Sequence, residues 1–122
     1  MLLDTYAWIE LFNGTSRGLK VKEVIANNQC FTSAISIAEL SEWVEKSKLN
    51  RQKIFHIVKN LSTIIEVNQE QLETSGILKI EKRKNFKDFG LIDAIILATA
   101  KQYNLPIVTG DKHFEGENTI ML

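Results

Sequence analysis

The clearest chemical signal in the sequence is a set of four carboxylates that lie far apart along the chain: Asp4, Glu39, Asp93 and Asp111. Asp4 ends a short apolar run, and Asp111 lies two residues beyond another. Glu39 and Asp93 each fall in the predicted first turn of a helix. In a parallel sheet, the carboxyl ends of the strands and the amino ends of the following helices share one edge, where ligands bind. We therefore expect the four acids to meet in one crevice.

Such a crevice predicts a metal site. Converging carboxylates repel one another and raise each other's pKa values. A hard divalent cation offsets this repulsion, and Mg²⁺ is typically held by a few carboxylates, waters and substrate phosphates. The two histidines, His56 and His113, and the single Cys30 do not form a zinc-binding pattern. The sequence therefore favours an acid-only site for Mg²⁺ or Mn²⁺, without another cofactor. Such a site suits phosphodiester hydrolysis, because the metal lowers the pKa of the attacking water.

Each of the four acids also has a purely structural interpretation. Glu39 could be only the capping-box partner of Ser36 at the start of a helix. Asp4 could cap the first helix, Asp93 could stabilise a helix dipole, and Asp111 could be an ordinary turn residue. The occurrence of all four at equivalent strand and helix ends favours the shared site over four separate structural roles.

The elements that would position these acids alternate short apolar runs with amphipathic stretches. The apolar runs predict strands at residues 1–3, 30–32, 63–67, 107–109 and 119–122. Helical periodicity predicts helices at residues 5–12, around 21–25, at 36–46, around 54–61, after Asn68 and at 91–103. Strands separated by helices require crossover connections. We therefore predict an α/β fold, a three-layer α/β/α sandwich with a central, mostly parallel sheet of about five strands.

Composition indicates one compact domain over residues 1–122. The chain has 15 Lys and Arg against 15 Asp and Glu, and 44% of its residues are hydrophobic, which excludes wholesale disorder. Apolar stretches are interrupted by charge too often to span a membrane. Asp4 and Glu10 interrupt the apolar opening, so we expect no targeting signal there. The single cysteine excludes an internal disulfide, and we expect a cytoplasmic protein.

The segments around the four acids resemble the PIN domain family, and more narrowly the VapC-type ribonuclease toxins of prokaryotic toxin–antitoxin pairs. The matching segments, which occur in the right order along nearly the whole chain, are residues 2–5, 37–40, 93–100 and 106–114. The resemblance implies that the four acids are the catalytic, metal-binding residues and that Thr109 supports the metal or phosphate through its hydroxyl. Tyr6 is a departure, because many relatives have a smaller residue after the opening Asp-Thr.

The resemblance also implies partners. Relatives are usually dimeric, cut RNA with Mg²⁺ or Mn²⁺, and are blocked by a cognate antitoxin. The first helix independently favours a homodimer, because its residues 8–12 are more apolar than one buried face requires. Trp8 and Trp43 are interpreted chiefly as core residues, with an interface as the alternative.

Several charged and aromatic residues have two open interpretations. Segment 79–87 contains five positive charges and one negative charge, and either follows RNA phosphates or is a solvated face. Phe86 and Phe89 could stack on bases, although core packing is the simpler role. Glu42 lies on the same helical face as Glu39 and is either an auxiliary acid or a solvated one.

Three other functions remain open from the sequence. A housekeeping PIN nuclease for RNA processing would carry the same acids, and a catalytically silent scaffold would bind RNA or protein without needing them. A haloacid-dehalogenase-like phosphatase also begins with an aspartate after its first strand. That chemistry requires a second aspartate at the position of Tyr6, so the phosphatase is disfavoured.

Overall fold

The structure, a computed structural model that describes residues 1–122, is built around five short strands. They are β1 (Leu2–Leu3), β2 (Phe31–Ser33), β3 (Thr63–Ile65), β4 (Ile107–Thr109) and β5 (Thr119–Met121). Their order in the sheet is β3-β2-β1-β4-β5, and every neighbouring pair is parallel. The predicted parallel sheet of five strands is therefore confirmed, although the third strand ends at Ile65 rather than at Val67.

Six α-helices and one 3₁₀ turn connect the strands. The helices are α1 (Thr5–Asn13), α2 (Ser16–Asn27), α3 (Ala34–Lys46), α4 (Arg51–Leu61), α5 (Gln69–Arg83) and α6 (Leu91–Tyr103). The 3₁₀ turn covers Lys112–Phe114, between β4 and β5. No helix is both long and apolar enough to cross a membrane.

Alternating residues of the central strands divide the interior into two cores. Leu2 and Ile107 pack with residues of α5 and α6, whereas Leu3 and Val108 pack with residues of α1 to α4. Successive side chains of a strand point to opposite faces of a sheet, so each central strand contributes to both cores. The layers are therefore α1–α4, the sheet, and α5–α6, which confirms the predicted three-layer sandwich.

Aromatic residues fill the core beneath α1 to α4. Trp8 is fully buried, and its indole Nε1–H donates a hydrogen bond to Thr32 Oγ1 at 3.0 Å. Its ring stacks on Phe12 at a centroid distance of 6.0 Å, and Phe12 stacks on the half-buried Trp43 at 6.1 Å. A buried indole needs a hydrogen-bond partner, and Thr32 at the middle of β2 provides it.

The start of α3 differs from the prediction. Ser33, the last residue of β2, is the N-cap, and its hydroxyl accepts a hydrogen bond from Ile35 N–H at 3.3 Å. The predicted capping box between Ser36 and Glu39 is wrong, because the strand leads into the helix without a linker. Ser36 is instead buried, and its hydroxyl has no hydrogen-bond partner. Glu39 consequently lies in the second turn of α3 and is free to face the sheet edge.

Helices α1 and α2 meet at a tight corner. Gly14 ends α1 in a left-handed conformation with φ of 67°, and Thr15 caps α2 by accepting a hydrogen bond from Gly18 N–H at 3.0 Å. Gly18 is buried against α1, and a Cβ atom at this position would lie 2.2 Å from the carbonyl oxygen of Glu10. The corner therefore requires glycine at position 18 for space rather than for backbone conformation.

A matched pair of helical glycines tests this corner. Gly18→Ala should lower the free energy of unfolding by about 1–3 kcal/mol, because the added methyl overlaps a backbone atom that cannot move freely. Gly76→Ala, in the middle of α5 with open space around it, should raise the free energy of unfolding by about 0.5–1 kcal/mol through helix propensity. Urea denaturation measures both changes. A Gly18→Ala protein as stable as the wild type would contradict the packing.

Candidate metal centre

The candidate site lies at the point in the sheet where the chain reverses the direction in which it adds strands. β1 and β4 are neighbours at the centre of the sheet, but the chain continues from β1 towards β2 and from β4 towards β5, on opposite sides. The carboxyl ends of such a strand pair form a crevice that binds ligands in open α/β folds. Asp4 follows β1 directly, and Thr109 is the last residue of β4. Topology alone thus brings the two ends of the sequence to one point.

Asp4 combines a structural and an electrostatic role. It is only 4% exposed, and its Oδ1 accepts a hydrogen bond from Ala7 N–H at 2.8 Å, so it caps α1. Burial raises the pKa of Asp4 from its ordinary value of 3.8 to about 7. Hydrogen bonds from Thr109 and Ala7 lower that pKa, while the charges of Asp111 and Asp93 raise it. The helix-capping interpretation is therefore correct for position 4, and Asp4 also lies close enough to Asp93 and Asp111 for their charges to interact.

Asp93 lies in the first turn of α6, as predicted. Its Oδ2 accepts a hydrogen bond from Gly90 N–H at 3.1 Å, which fixes the carboxylate at the start of the helix. Burial is the largest cause that raises the pKa of Asp93, and the Gly90 hydrogen bond lowers it. The negative charge of Asp111 raises this pKa further, and the charge of His113 lowers it. Asp93 therefore lies close enough to Asp111 for their charges to interact.

Glu39 approaches the same edge from α3. Its Oε1 accepts a hydrogen bond from Thr5 Oγ1 at 2.5 Å, which ties the side chain to the residue after Asp4. Burial raises the pKa of Glu39, the Thr5 hydrogen bond lowers it, and the charges of Asp93 and Glu42 raise it. The Glu42 side chain is itself 73% exposed and pairs with Lys46 at 3.3 Å. Glu42 therefore lies on the solvent side of α3, and its charge affects the site only by raising the pKa of Glu39.

The loop after β4 presents Asp111. Its backbone N–H donates to Thr109 Oγ1 at 2.9 Å, and its Oδ1 accepts from His113 N–H at 2.9 Å. Asp111 therefore caps the 3₁₀ turn, while the fully buried Thr109 joins this loop through its hydroxyl and lies close enough to Asp4 to lower the pKa of that carboxyl. The turn-residue interpretation of Asp111 is thus also true, and it fixes the carboxylate within the crevice.

The tightest group of candidate donors contains a histidine. One donor atom each of Asp93, Asp111 and His113 lie within 4.8 Å of one another. Asp4 and Glu39 surround this group and interact with it electrostatically, but they are not within that distance of all three. The sequence pattern does not indicate His113, because no second histidine or cysteine lies at metal-ligand spacing from it. The available signal was its position two residues after Asp111 in a turn.

Tyr6 lies beside the crevice rather than in it. A Cβ atom at Gly110 would lie 2.3 Å from Tyr6 Cε1, so the tyrosine ring packs directly on the backbone at Gly110. The exposed Arg17 hydrogen-bonds to the Tyr6 hydroxyl and lies over the ring at 5.9 Å. The residue that departs from the family pattern therefore forms one wall next to Asp111 and holds a positive charge near it.

Some basic residues of segment 79–87 make contacts within the protein, and others are exposed. Lys82 lies over the rings of Phe86 and Phe89, at 4.7 and 5.8 Å, and pairs with Glu117 at 3.6 Å. Arg83 Nε donates to the carbonyl oxygen of Phe89 at 2.9 Å, and Phe89 is fully buried. These two basic residues therefore stabilise the loop that leads into α6, and Phe89 is a core residue.

A PIN domain family model matches residues 1–116 of the chain. The chain therefore belongs to the PIN domain family, and the resemblance derived from the acidic motifs is confirmed. A comparison with curated proteins finds no significant match.

Solved structures similar to this chain include members of toxin–antitoxin complexes. A chain of a toxin–antitoxin complex from Klebsiella pneumoniae is 30% identical, with a TM-score of 0.73; the match covers 94% of this chain and 90% of that one. A chain of VapBC2 from Rickettsia felis, bound to a promoter DNA fragment, is 26% identical, with a TM-score of 0.77 and coverage of 99% and 96%. VapC20 from Mycobacterium tuberculosis, a Sarcin-Ricin loop cleaving toxin, shares the fold at 16% identity, with a TM-score of 0.77 and coverage of 99% and 97%.

The burial of Asp4 predicts a distinct pH dependence for the metal-free protein. Between its unfolded pKa of 3.8 and its folded pKa of about 7, the unfolded chain loses the Asp4 proton while the folded chain keeps it. The free energy of unfolding should therefore fall with rising pH by up to about 1.4 kcal/mol per pH unit from this group, and the full cost remains above pH 7.

Asp4→Asn should remove this contribution, because asparagine keeps the capping oxygen but carries no charge. In EDTA, its urea denaturation should show a shallower decline of stability between pH 5 and 7, and greater stability than the wild type at pH 8. Asp88→Asn, at an exposed position, is the control and should keep the wild-type slope. An Asp4→Asn protein that is less stable than the wild type at pH 8 would contradict the assignment.

Proposed function

We propose that this protein is a metal-dependent endoribonuclease and the toxin of a toxin–antitoxin pair. The observation that carries the proposal is the convergence of four carboxylates at the carboxyl ends of β1 and β4, where burial first and neighbouring negative charges second raise the pKa values of Asp4, Glu39 and Asp93. Buried like charges are unfavourable without a counter-ion. Membership of the PIN domain family, whose members cut RNA with Mg²⁺ or Mn²⁺ by the resemblance stated above, supports the same conclusion.

The donor chemistry fits a hard divalent cation. Carboxylate oxygens are the ligands that Mg²⁺ and Mn²⁺ prefer, and the cluster of Asp93 and Asp111 supplies them. When bound, the cation supplies Lewis acidity that lowers the pKa of a water molecule and neutralises charge on the phosphate. In this proposal Asp93 and Asp111 hold the cation directly, and Asp4 and Glu39 complete its environment.

The remaining roles belong to the chain's own side chains. Thr5 donates a hydrogen bond to Glu39 Oε1, which leaves Oε2 to accept a proton from a water molecule at the crevice. Thr109 accepts a hydrogen bond from Asp111 N–H and its hydroxyl lowers the pKa of Asp4, so it lies between the two acids that follow β1 and β4. The exposed Arg17, Lys84 and Lys87 provide positive charge for RNA phosphates.

The toxin role is proposed from the solved relatives and from an apolar groove. The two most identical relatives described above come from structures whose names state a toxin–antitoxin complex and a VapBC pair. On this chain, α1, α2 and α4 border a groove of about 450 Å³ that is almost entirely apolar. Its apolar lining includes Leu11, Phe12, Ile25, Ile57 and Leu61. We propose that a segment of the cognate antitoxin covers this groove. The homodimer stays a prediction from the apolar first helix.

Cleavage of RNA by the purified protein tests the proposed activity. The wild type should cut single-stranded RNA with Mg²⁺ or Mn²⁺ and lose activity in excess EDTA. Asp93→Asn should lower cleavage by orders of magnitude, while Asp88→Asn, five residues earlier and exposed, should not. Equal cleavage in EDTA, or full activity of Asp93→Asn, would refute the proposal.

The stability of the same two variants separates loss of function from loss of fold. Metal-free Asp93→Asn should be at least as stable as the wild type. Asparagine keeps an oxygen that accepts the Gly90 N–H hydrogen bond, and it removes a carboxyl group whose pKa is raised. Its rise in melting temperature on adding Mn²⁺ should be much smaller, because that rise reports binding to the folded state.

A further inference from the structure

His113 is held in place from several sides. Its backbone N–H donates to Asp111 Oδ1, and its ring packs edge-on against Phe86 and Phe89, with centroid distances of 6.0 and 6.3 Å. Phe89 is buried and packs in turn on Phe114. The ring is partly exposed, and these contacts restrict the plane in which it lies.

The Nδ1 atom of His113 faces the Asp111 carboxylate but forms no hydrogen bond with it. It is buried, makes no hydrogen bond, and lies 3.2 Å from Asp111 Oδ1. A buried polar atom without a partner costs free energy and requires an explanation. Here the atom belongs to the one group of donors that could hold a metal ion, together with oxygens of Asp93 and Asp111.

We propose that His113 Nδ1 is a ligand of the divalent cation in this site and that it biases the site towards first-row transition ions such as Mn²⁺ over Mg²⁺. This inference rests on the proposed function, which assigns a divalent cation to Asp93 and Asp111. It goes beyond that function because neither the four-acid pattern nor the activity requires a nitrogen ligand.

The spacing of the donors supports a shared cation. Two adjacent ligands of an octahedral ion with bonds of about 2.0–2.1 Å lie about 3 Å apart. The separation of 3.2 Å between His113 Nδ1 and Asp111 Oδ1 is close to this value, although no hydrogen bond joins the two atoms. The two atoms are therefore positioned as neighbouring ligands rather than as a hydrogen-bonded pair.

The chemical nature of the donors supports the metal preference. Carboxylates and water suit Mg²⁺, Ca²⁺ and Mn²⁺ alike, whereas imidazole nitrogen favours transition ions. Mg²⁺ is a hard ion that prefers oxygen and keeps several of its waters. Replacing one oxygen ligand by nitrogen therefore weakens Mg²⁺ binding relative to Mn²⁺ binding.

Pulsed electron paramagnetic resonance of bound Mn²⁺ tests this ligand directly, without measuring activity. The Mn²⁺-loaded wild type should show modulation from one directly coordinated ¹⁴N nucleus. His113→Gln should lose that modulation while still binding Mn²⁺. His56→Gln should keep it, because the only other histidine is exposed on α4 and hydrogen-bonds to Asn60.

Isotope labelling keeps the test valid if His113→Gln does not fold. Wild-type protein grown with ¹⁵N-histidine should change from ¹⁴N to ¹⁵N modulation, and His56→Gln labelled in the same way should give the same spectrum. Since the chain has two histidines, the labelled control assigns the signal to His113.

Metal competition tests the preference. The ratio of Mn²⁺ to Mg²⁺ affinity, measured by titration calorimetry, should fall several-fold in His113→Asp, which restores an all-carboxylate donor set. An unchanged ratio would overturn the proposed bias.

The outcomes separate the two proposals. In one outcome the wild type binds Mn²⁺ without nitrogen modulation, and Asp93→Asn loses Mn²⁺ binding. That outcome would overturn the His113 ligand and leave the nuclease proposal intact. A wild type that binds no Mn²⁺ at all would overturn both. Nitrogen modulation that persists in a folded His113→Gln protein would also overturn the assignment.

Discussion

The burial of carboxylates at the carboxyl ends of β1 and β4, to which their mutual repulsion adds, is the constraint on which the rest of the structure depends. Asp4 is almost fully buried beside Asp93 and Asp111, and its pKa is raised to about 7, so the metal-free fold carries a local electrostatic cost. The surrounding structure tolerates this cost because both cores pack tightly around the central strands. In the proposed function a divalent cation would remove this cost, which would link metal binding to stability.

The hydrogen bonds that cap the helices also fix the orientation of the acidic side chains. Asp4 caps α1, Asp93 bonds to the residue before α6, and Asp111 caps the 3₁₀ turn. Only Glu39 lies away from a helix end, and the hydroxyl of Thr5 fixes its position instead. The structural roles of these residues are therefore compatible with the proposed metal site. The caps orient side chains that share one crevice.

The sequence predicts the fold well because the fold depends on local pattern, and the same pattern singles out the four acids proposed for the site. Apolar runs define the strands, and an isolated charge such as Asp93 within the apolar α6 is conspicuous. The start of α3 was wrong because two serines, Ser33 and Ser36, offer similar capping chemistry, and only the end of β2 decides between them. The sequence does not indicate the role proposed for His113, because that role depends on the contacts of a turn with Phe86 and Phe89, which no local pattern reveals.

Anomalous X-ray diffraction from crystals soaked in Mn²⁺ tests the central claim most directly, since it locates the ion without assuming any ligand. The account predicts one strong anomalous peak in the crevice after β1 and β4, within bonding distance of carboxylate oxygens of Asp93 and Asp111. A well-ordered crystal that shows no peak there, or whose only peak lies at exposed acids such as Glu42, would contradict it.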